Sequence, residues 1–192
     1  MLGAFRVLGR YLAARVERCC GPGAYFRIMK FEELPGHARL WVHVADRGLM
    51  AEEQEALAAH LAAFLSEWSA HGAALAAAGR MLYDRVLVVG LDEEQAGATG
   101  CSIDKLVSFL RAHGASNGID WFDRHQVLWR QPGENAWNAT RTPEFWALRK
   151  AEVVHAGSEV VDPLAACLED AGAAGQMLVK RFDESWHADM WN

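Results

Sequence analysis

Apolar residues recur along this chain with two different periods, and the switches between them mark its elements. Arg39-Leu40-Trp41-Val42-His43-Val44 alternates and is rich in β-formers, which predicts a first strand. Asp46-Arg47-Gly48 then turns the chain. Leu57, Leu61, Phe64, Leu65 and Trp68 follow at i, i+4, i+7, i+8 and i+11, an amphipathic helix with Glu52 and Glu53 in its first turn. His71-Gly72 predicts the helix end, with the glycine as left-handed cap. Residues 80–83 and 85–91 predict one long strand, or two joined at Asp84. Ile103, Leu106, Val107 and Leu110 form the stripe of a second helix over about 102–112, stopped by Gly114. Gln126-Val127-Leu128-Trp129-Arg130 is a further strand, and Ala136-Trp137-Asn138-Ala139-Thr140 completes a hairpin with it.

This order, β-α-β(β)-α-β, implies an α+β protein and a ferredoxin-like sandwich. A C-terminal extension of short helices is expected beyond it. Thr142-Pro143 serves as N-cap and first residue of one, running through Phe145, Trp146 and Leu148. Asp162-Pro163 opens another through Leu164, Cys167 and Leu168, closed by Gly172. Residues 177–179 suggest a last strand before the tail. Residues 29–192 are thus expected to form one domain.

Residues 1–28 stand apart. Leu2, Phe5, Leu8, Leu12 and Val16 recur at helical spacing with arginines between them, which breaks the apolar core a secretory signal needs. Such a segment suits an anionic membrane surface or an organelle transit peptide. The reading we prefer is an upstream start codon, with Met29 as the natural start and residues 1–28 an extension outside the core.

Charge narrows the partners. The net charge is −6, and the five arginines of residues 1–28 against Glu17 alone give +4 there, leaving −10 for the rest. Nucleic-acid binding therefore has little electrostatic support. No apolar run approaches the roughly 20 residues that span a bilayer. Cys19, Cys20, Cys101 and Cys167 form no CxxC pair, so reduced thiols in a cytoplasmic protein are expected rather than a disulfide framework.

Thr99-Gly100-Cys101-Ser102-Ile103-Asp104 carries the sharpest candidate chemistry. It places a thiol, a hydroxyl and free backbone N–H groups at a helix N-terminus, where partial positive charge favours anions and thiolates. Cys101 is the candidate nucleophile, with Ser102, Asp104 and Lys105 as binding groups. Structurally, Cys101 or Ser102 would instead cap the helix, with Asp104 reaching back as an acidic capping partner. In the tail, Ser185-Trp186-His187 offers an imidazole as base, oriented by Asp92 or Asp104, and an indole as binding group. The other histidines show no HxH or HExxH spacing, so neither a metal nor a cofactor is expected. His71 and His113 precede glycines, where a cationic ring would complement a helix end. Six of the eight tryptophans lie from Trp121 onward, suited to filling a core, lining a groove or forming a dimer interface. There is no GxxxxGK[ST] and no GxGxxG.

LPxxARxWVxxADR at 34–47, WxxHG at 68–72, GCSIDK at 100–105 and ESWH at 184–187 together resemble a small bacterial family whose members often carry the label "ABC transporter ATPase". The resemblance covers about residues 29–188. It implies that Cys101, Ser102, Asp104, Trp186 and His187 occupy family motif positions, and it implies no reaction, because the phosphate loop of such an ATPase is missing. Three readings follow. The first is a domain binding a small ligand or partner at the Cys101 loop. The second is a thiol-dependent enzyme for acyl transfer or hydrolysis, with Cys101 as nucleophile and His187 as base. The third is an interaction protein that forms a homodimer through its sheet or its Trp-rich half.

Overall fold

Six consecutive residues, Val86 to Leu91, are buried on both faces of one strand, and the other elements stack outward from it. The structure is a computed structural model and describes residues 29–94, 96–172 and 175–191. The reading of residues 1–28 lies outside the described residues.

Strand β1 (Arg39–Val44) is followed by α1 (Ala51–Glu67), the two-residue strands β2 (Ser69–Ala70) and β3 (Ala73–Ala74), then β4 (Ala76–Leu82) and β5 (Val86–Asp92). Helix α2 (Gly100–Asn117) leads to β6 (Gln126–Arg130), β7 (Asn138–Arg141) and α3 (Thr142–Lys150). The chain ends in β8 (Glu159–Val161), α4 (Leu168–Ala171), β9 (Val179–Arg181) and α5 (Trp186–Trp191). The first sheet has the order β1-β5-β4 and a second sheet the order β7-β6-β8-β9, every pair antiparallel. The protein is therefore α+β. The strand expected to complete a single four-stranded sheet, β6, instead pairs with β7 and β8 in the second sheet.

The layers follow from strand alternation. Leu87, Val89 and Leu91 of β5 face Leu57, Leu61 and Leu65 of α1 and Leu106 and Leu110 of α2. Val86 and Val88 point the opposite way, onto Leu128 of β6 and Val161 of β8. Val127, Trp129 and Val160 then face outward onto Phe145 of α3 and Phe182. Four layers result: helices, sheet, sheet, helices. Each buried Leu or Val stabilises the stack by roughly 1.5–3 kcal/mol before entropy is counted.

A charged clasp closes the helix layer. Arg47 donates to both carboxylate oxygens of Glu53, at 2.8 and 2.6 Å, and to the carbonyls of Asn117 (2.7 Å) and Gly118 (3.2 Å). One guanidinium thus holds the first turn of α1 against the last turn of α2. Glu53 also accepts from the Met50 N–H at 2.9 Å, and these donors push its pKa down to about 2.

Several local expectations are corrected. His71-Gly72 does not end α1: Trp68 already does, and His71 (φ 50°) with Gly72 (φ 83°) makes the tight turn between β2 and β3. Gly114 does not stop α2. It lies buried inside the helix, where a Cβ would run into the Ile119 carbonyl, and Gly118 (φ 63°) is the left-handed cap. His113 is not a cationic ring at a helix end: it is buried, one turn before the end of α2, its Nδ1 accepting from Trp121 Nε1 at 3.3 Å. Thr142 is the first helical residue of α3, and its cap is Arg141. Asp162-Pro163 opens no helix: the Asp162 carboxylate is drawn to Lys180 Nζ at 2.8 Å, Leu164 is exposed, and α4 begins only at Leu168.

Gly114→Ala should lose about 1–3 kcal/mol of stability in urea unfolding, the usual cost of forcing an atom into packed backbone. Gly118→Ala should cost only about 1 kcal/mol, the left-handed penalty alone. Equal, small effects at both sites would contradict the packing described for Gly114.

Candidate functional site

The ladder between β1 and β5 runs from Val44↔Val86 to Arg39↔Leu91, so the start of β1 and the end of β5 emerge at one corner. The loop leaving β5 then enters α2. Glu93 closes that loop by accepting from the Ala98 N–H at 2.9 Å, and Arg39 pairs with it at 3.7 Å. The Arg39 guanidinium also lies 4.8 Å over the Trp41 ring. Trp41 meets Trp68 edge-on at 5.9 Å, and Trp68 donates its indole N–H to the Ser102 carbonyl at 2.8 Å. These contacts form a continuous wall from the end of the sheet to the first turn of α2.

The cap of α2 is reciprocal. Thr99 Oγ1 accepts from the Ser102 N–H at 3.2 Å, and Ser102 Oγ accepts from the Thr99 N–H at 2.8 Å. Ser102 is 1% exposed, so it is a buried capping group and not a ligand contact. This corrects the expectation that Cys101 or Ser102 is the cap residue and Asp104 its partner: the cap is Thr99, and a serine fills the place usually held by Glu. Asp104 and Lys105 are exposed along α2. Cys101 is exposed with its thiol unengaged, and the N–H groups of Gly100 and Cys101 meet no acceptor among the described residues.

His187 lies elsewhere. It is 3% exposed, its ring centre 4.4 Å from that of Trp186 and 5.7 Å from that of Phe145, in the outer core that the second sheet shares with α3 and α5. Burial pushes its pKa down to about 4, against a weaker opposing pull from Asp162. The structure does not bring Cys101 and His187 together, because both sheets stand between the α2 layer and this core. The tail motif is a plug: Ser185 Oγ donates to the Phe182 carbonyl at 2.8 Å, and Trp186 packs beside the buried ring.

A second feature of the corner escaped the sequence reading. His37 Nε2 lies 3.4 Å from Asp92 Oδ1 and 3.5 Å from Glu94 Oε1. The histidine precedes β1 and the acids end β5, so only the strand register unites them. An apolar groove of about 410 Å³ runs between α1 and the edge strand β4, lined by Leu57, Leu61, Gly79 and Met81, and it does not include Cys101. Compared with known proteins, the chain matches no family model, no curated protein and no solved structure.

His187 gives a pH prediction. The unfolded ring titrates near 6.5 and the folded one near 4, so the unfolded state takes up its proton first as pH falls. Stability should be unaffected by this group above pH 6.5 and lost between 6.5 and 4, by about 3 kcal/mol at the lower end. Urea unfolding of wild type and His187→Leu at pH 7 and pH 4.5 checks this. The variant should lose much less on acidification, and parallel losses would mean the ring is not held neutral by burial.

Proposed function

We propose that this chain is a binding domain whose site is the corner between the end of β5 and the start of α2, and that it takes a small ligand bearing a carboxylate or phosphate group. The observation that carries this reading is the cap. Because Thr99 and Ser102 satisfy each other, Cys101 is left with an exposed thiol beside two N–H groups that meet no acceptor among the described residues. Unpaired N–H groups in a helix's first turn attract anions. Glu93, an opposing charge in the loop, is paired with Arg39 and accepts from the Ala98 N–H. The half-buried Trp41 with Arg39 stacked on it supplies a flat wall for the rest of the ligand.

In this reading the first sheet with α1 and α2 is a ferredoxin-like sandwich whose fourth strand has been drawn into the second sheet. The tryptophans of the C-terminal half serve mainly as core, which favours a small-molecule partner over a homodimer interface. The net charge of −6 favours it over nucleic acid. The thiol acts as a ligand contact, since the candidate base His187 lies in the other core and no hydrogen-bond partner engages the thiol among the described residues.

The test compares a neutral and an anionic alkylating reagent, iodoacetamide and iodoacetate, with the rate read peptide by peptide. Cys101 should react faster than the half-buried Cys167, whose N–H is bound by Asp170. The iodoacetate-to-iodoacetamide rate ratio should be several-fold higher at Cys101, because the helix start draws the carboxylate and Asp170 repels it. An inert Cys101, or equal discrimination at the two thiols, contradicts the reading.

A further inference from the structure

We infer that His37, Asp92 and Glu94 form a binding site for a divalent first-row transition-metal ion. Their donor atoms all lie within 4.8 Å of one another. Two of the edges, His37 Nε2 to Asp92 Oδ1 at 3.4 Å and to Glu94 Oε1 at 3.5 Å, are too long for charge-assisted hydrogen bonds, which close to about 2.7–2.9 Å. They match the spacing between donors arranged tetrahedrally about an ion at about 2.0–2.1 Å from each, which is about 3.4 Å. An imidazole with two carboxylates is a donor set that suits such an ion. It leaves a fourth position open to water or a ligand oxygen.

The charge pattern points the same way. Three acids follow one another at 92–94, and Arg39 and the Ala98 N–H engage Glu93 alone. Asp92 and Glu94 are left converging on one imidazole, with no Lys or Arg pairing with either among the described residues. Two carboxylates converging on one imidazole concentrate negative charge that a dication offsets. The backbone that carries the site is held in place. Asp92 is held in the β4–β5 ladder opposite Ala76, its side chain is only 13% exposed, and its Oδ1 accepts from the Glu94 N–H at 3.0 Å. The backbone at His37 is fixed by its neighbours, since Ala38 is fully buried and Arg39 pairs with Leu91.

This inference stands independently of the ligand reading above, which concerns Cys101. The probe is ZnCl₂, titrated into the full chain against a chromophoric chelator, with Cys19, Cys20, Cys101 and Cys167 replaced by serine so that thiols cannot take the ion. One zinc per chain is expected, with Mg²⁺ failing to displace it. His37→Gln and Glu94→Gln should each weaken binding by more than about ten-fold, the least that even outer-shell losses cost. His60→Gln, an exposed histidine on α1, should change nothing. Side chains of His37 and Glu94 are 52% and 72% exposed, so these variants should melt like their parent. If the serine variant melts early, the ring resonances of His37 in wild type replace the titration: they shift with zinc if the ring ligates and stay unmoved if thiols take the ion. No competition with the chelator, unmoved resonances, or wild-type affinity in His37→Gln overturns the inference.

Discussion

Burial of β5 on both faces is the constraint from which the remaining architecture follows. A strand that presents Leu87, Val89 and Leu91 to one side and Val86 and Val88 to the other cannot be satisfied by a single layer of helices. Helices α1 and α2 cover the first set, and the second sheet must cover the other. Once β6 and β8 are recruited for that purpose, their outer faces expose Val127, Trp129 and Val160, and a further layer becomes necessary. Gly90 fits the same logic: with no side chain there, Leu34 and Leu40 can close over the strand where it runs beneath the N-terminal segment. Capture of β6 by the second sheet is thus a packing requirement of β5 and not a local preference of β6.

The same constraint sets up the corner. Since β5 cannot shift without opening two cores, Asp92 leaves the sheet at a fixed point, and the register with β1 delivers His37 and Arg39 opposite it. The Trp41–Trp68 contact and the indole bond to the Ser102 carbonyl then fix the start of α2 relative to that edge. At the far end of the same helix, Arg47 performs the equivalent task by bridging to α1. Helix α2 is therefore tied at both ends, and the exposed groups of its first turn stand on a rigid support, which is what a binding site requires.

Much of this was legible in the sequence. Alternation located β1 and β6 residue for residue, and the stripe through Leu57, Leu61 and Leu65 located α1. The failures share a physical origin: one residue type serves several local conformations, and tertiary contacts choose among them. Gly72 and Gly114 both looked like helix ends, yet one makes a hairpin turn and the other admits the Ile119 carbonyl. Asp162-Pro163 has the form of a helix start, but the carboxylate goes to Lys180 across the sheet. Cys101 was readable as the exposed thiol of the α2 start because its surroundings are contiguous in sequence. His187 was not readable as buried, since nothing near it in the chain foretells Phe145. The grouping of His37 with Asp92 and Glu94 depends on strand register alone, and spacing in one sequence carries no trace of it.

Native-state hydrogen exchange resolved by residue tests the central claim, that β5 is the shared spine and that its end supports an exposed, unpaired helix start. The amides of Val86–Leu91 should exchange last, at the rate of global unfolding, because opening them breaks both cores. At the corner, the Ser102 and Ile103 amides should be protected by Thr99, while those of Gly100 and Cys101 exchange rapidly. If β6 and β8 outlast β5, the two sheets are separate units and β5 is not the spine. If the Gly100 and Cys101 amides are protected as well as Ser102, the helix start is closed and the corner offers a ligand nothing.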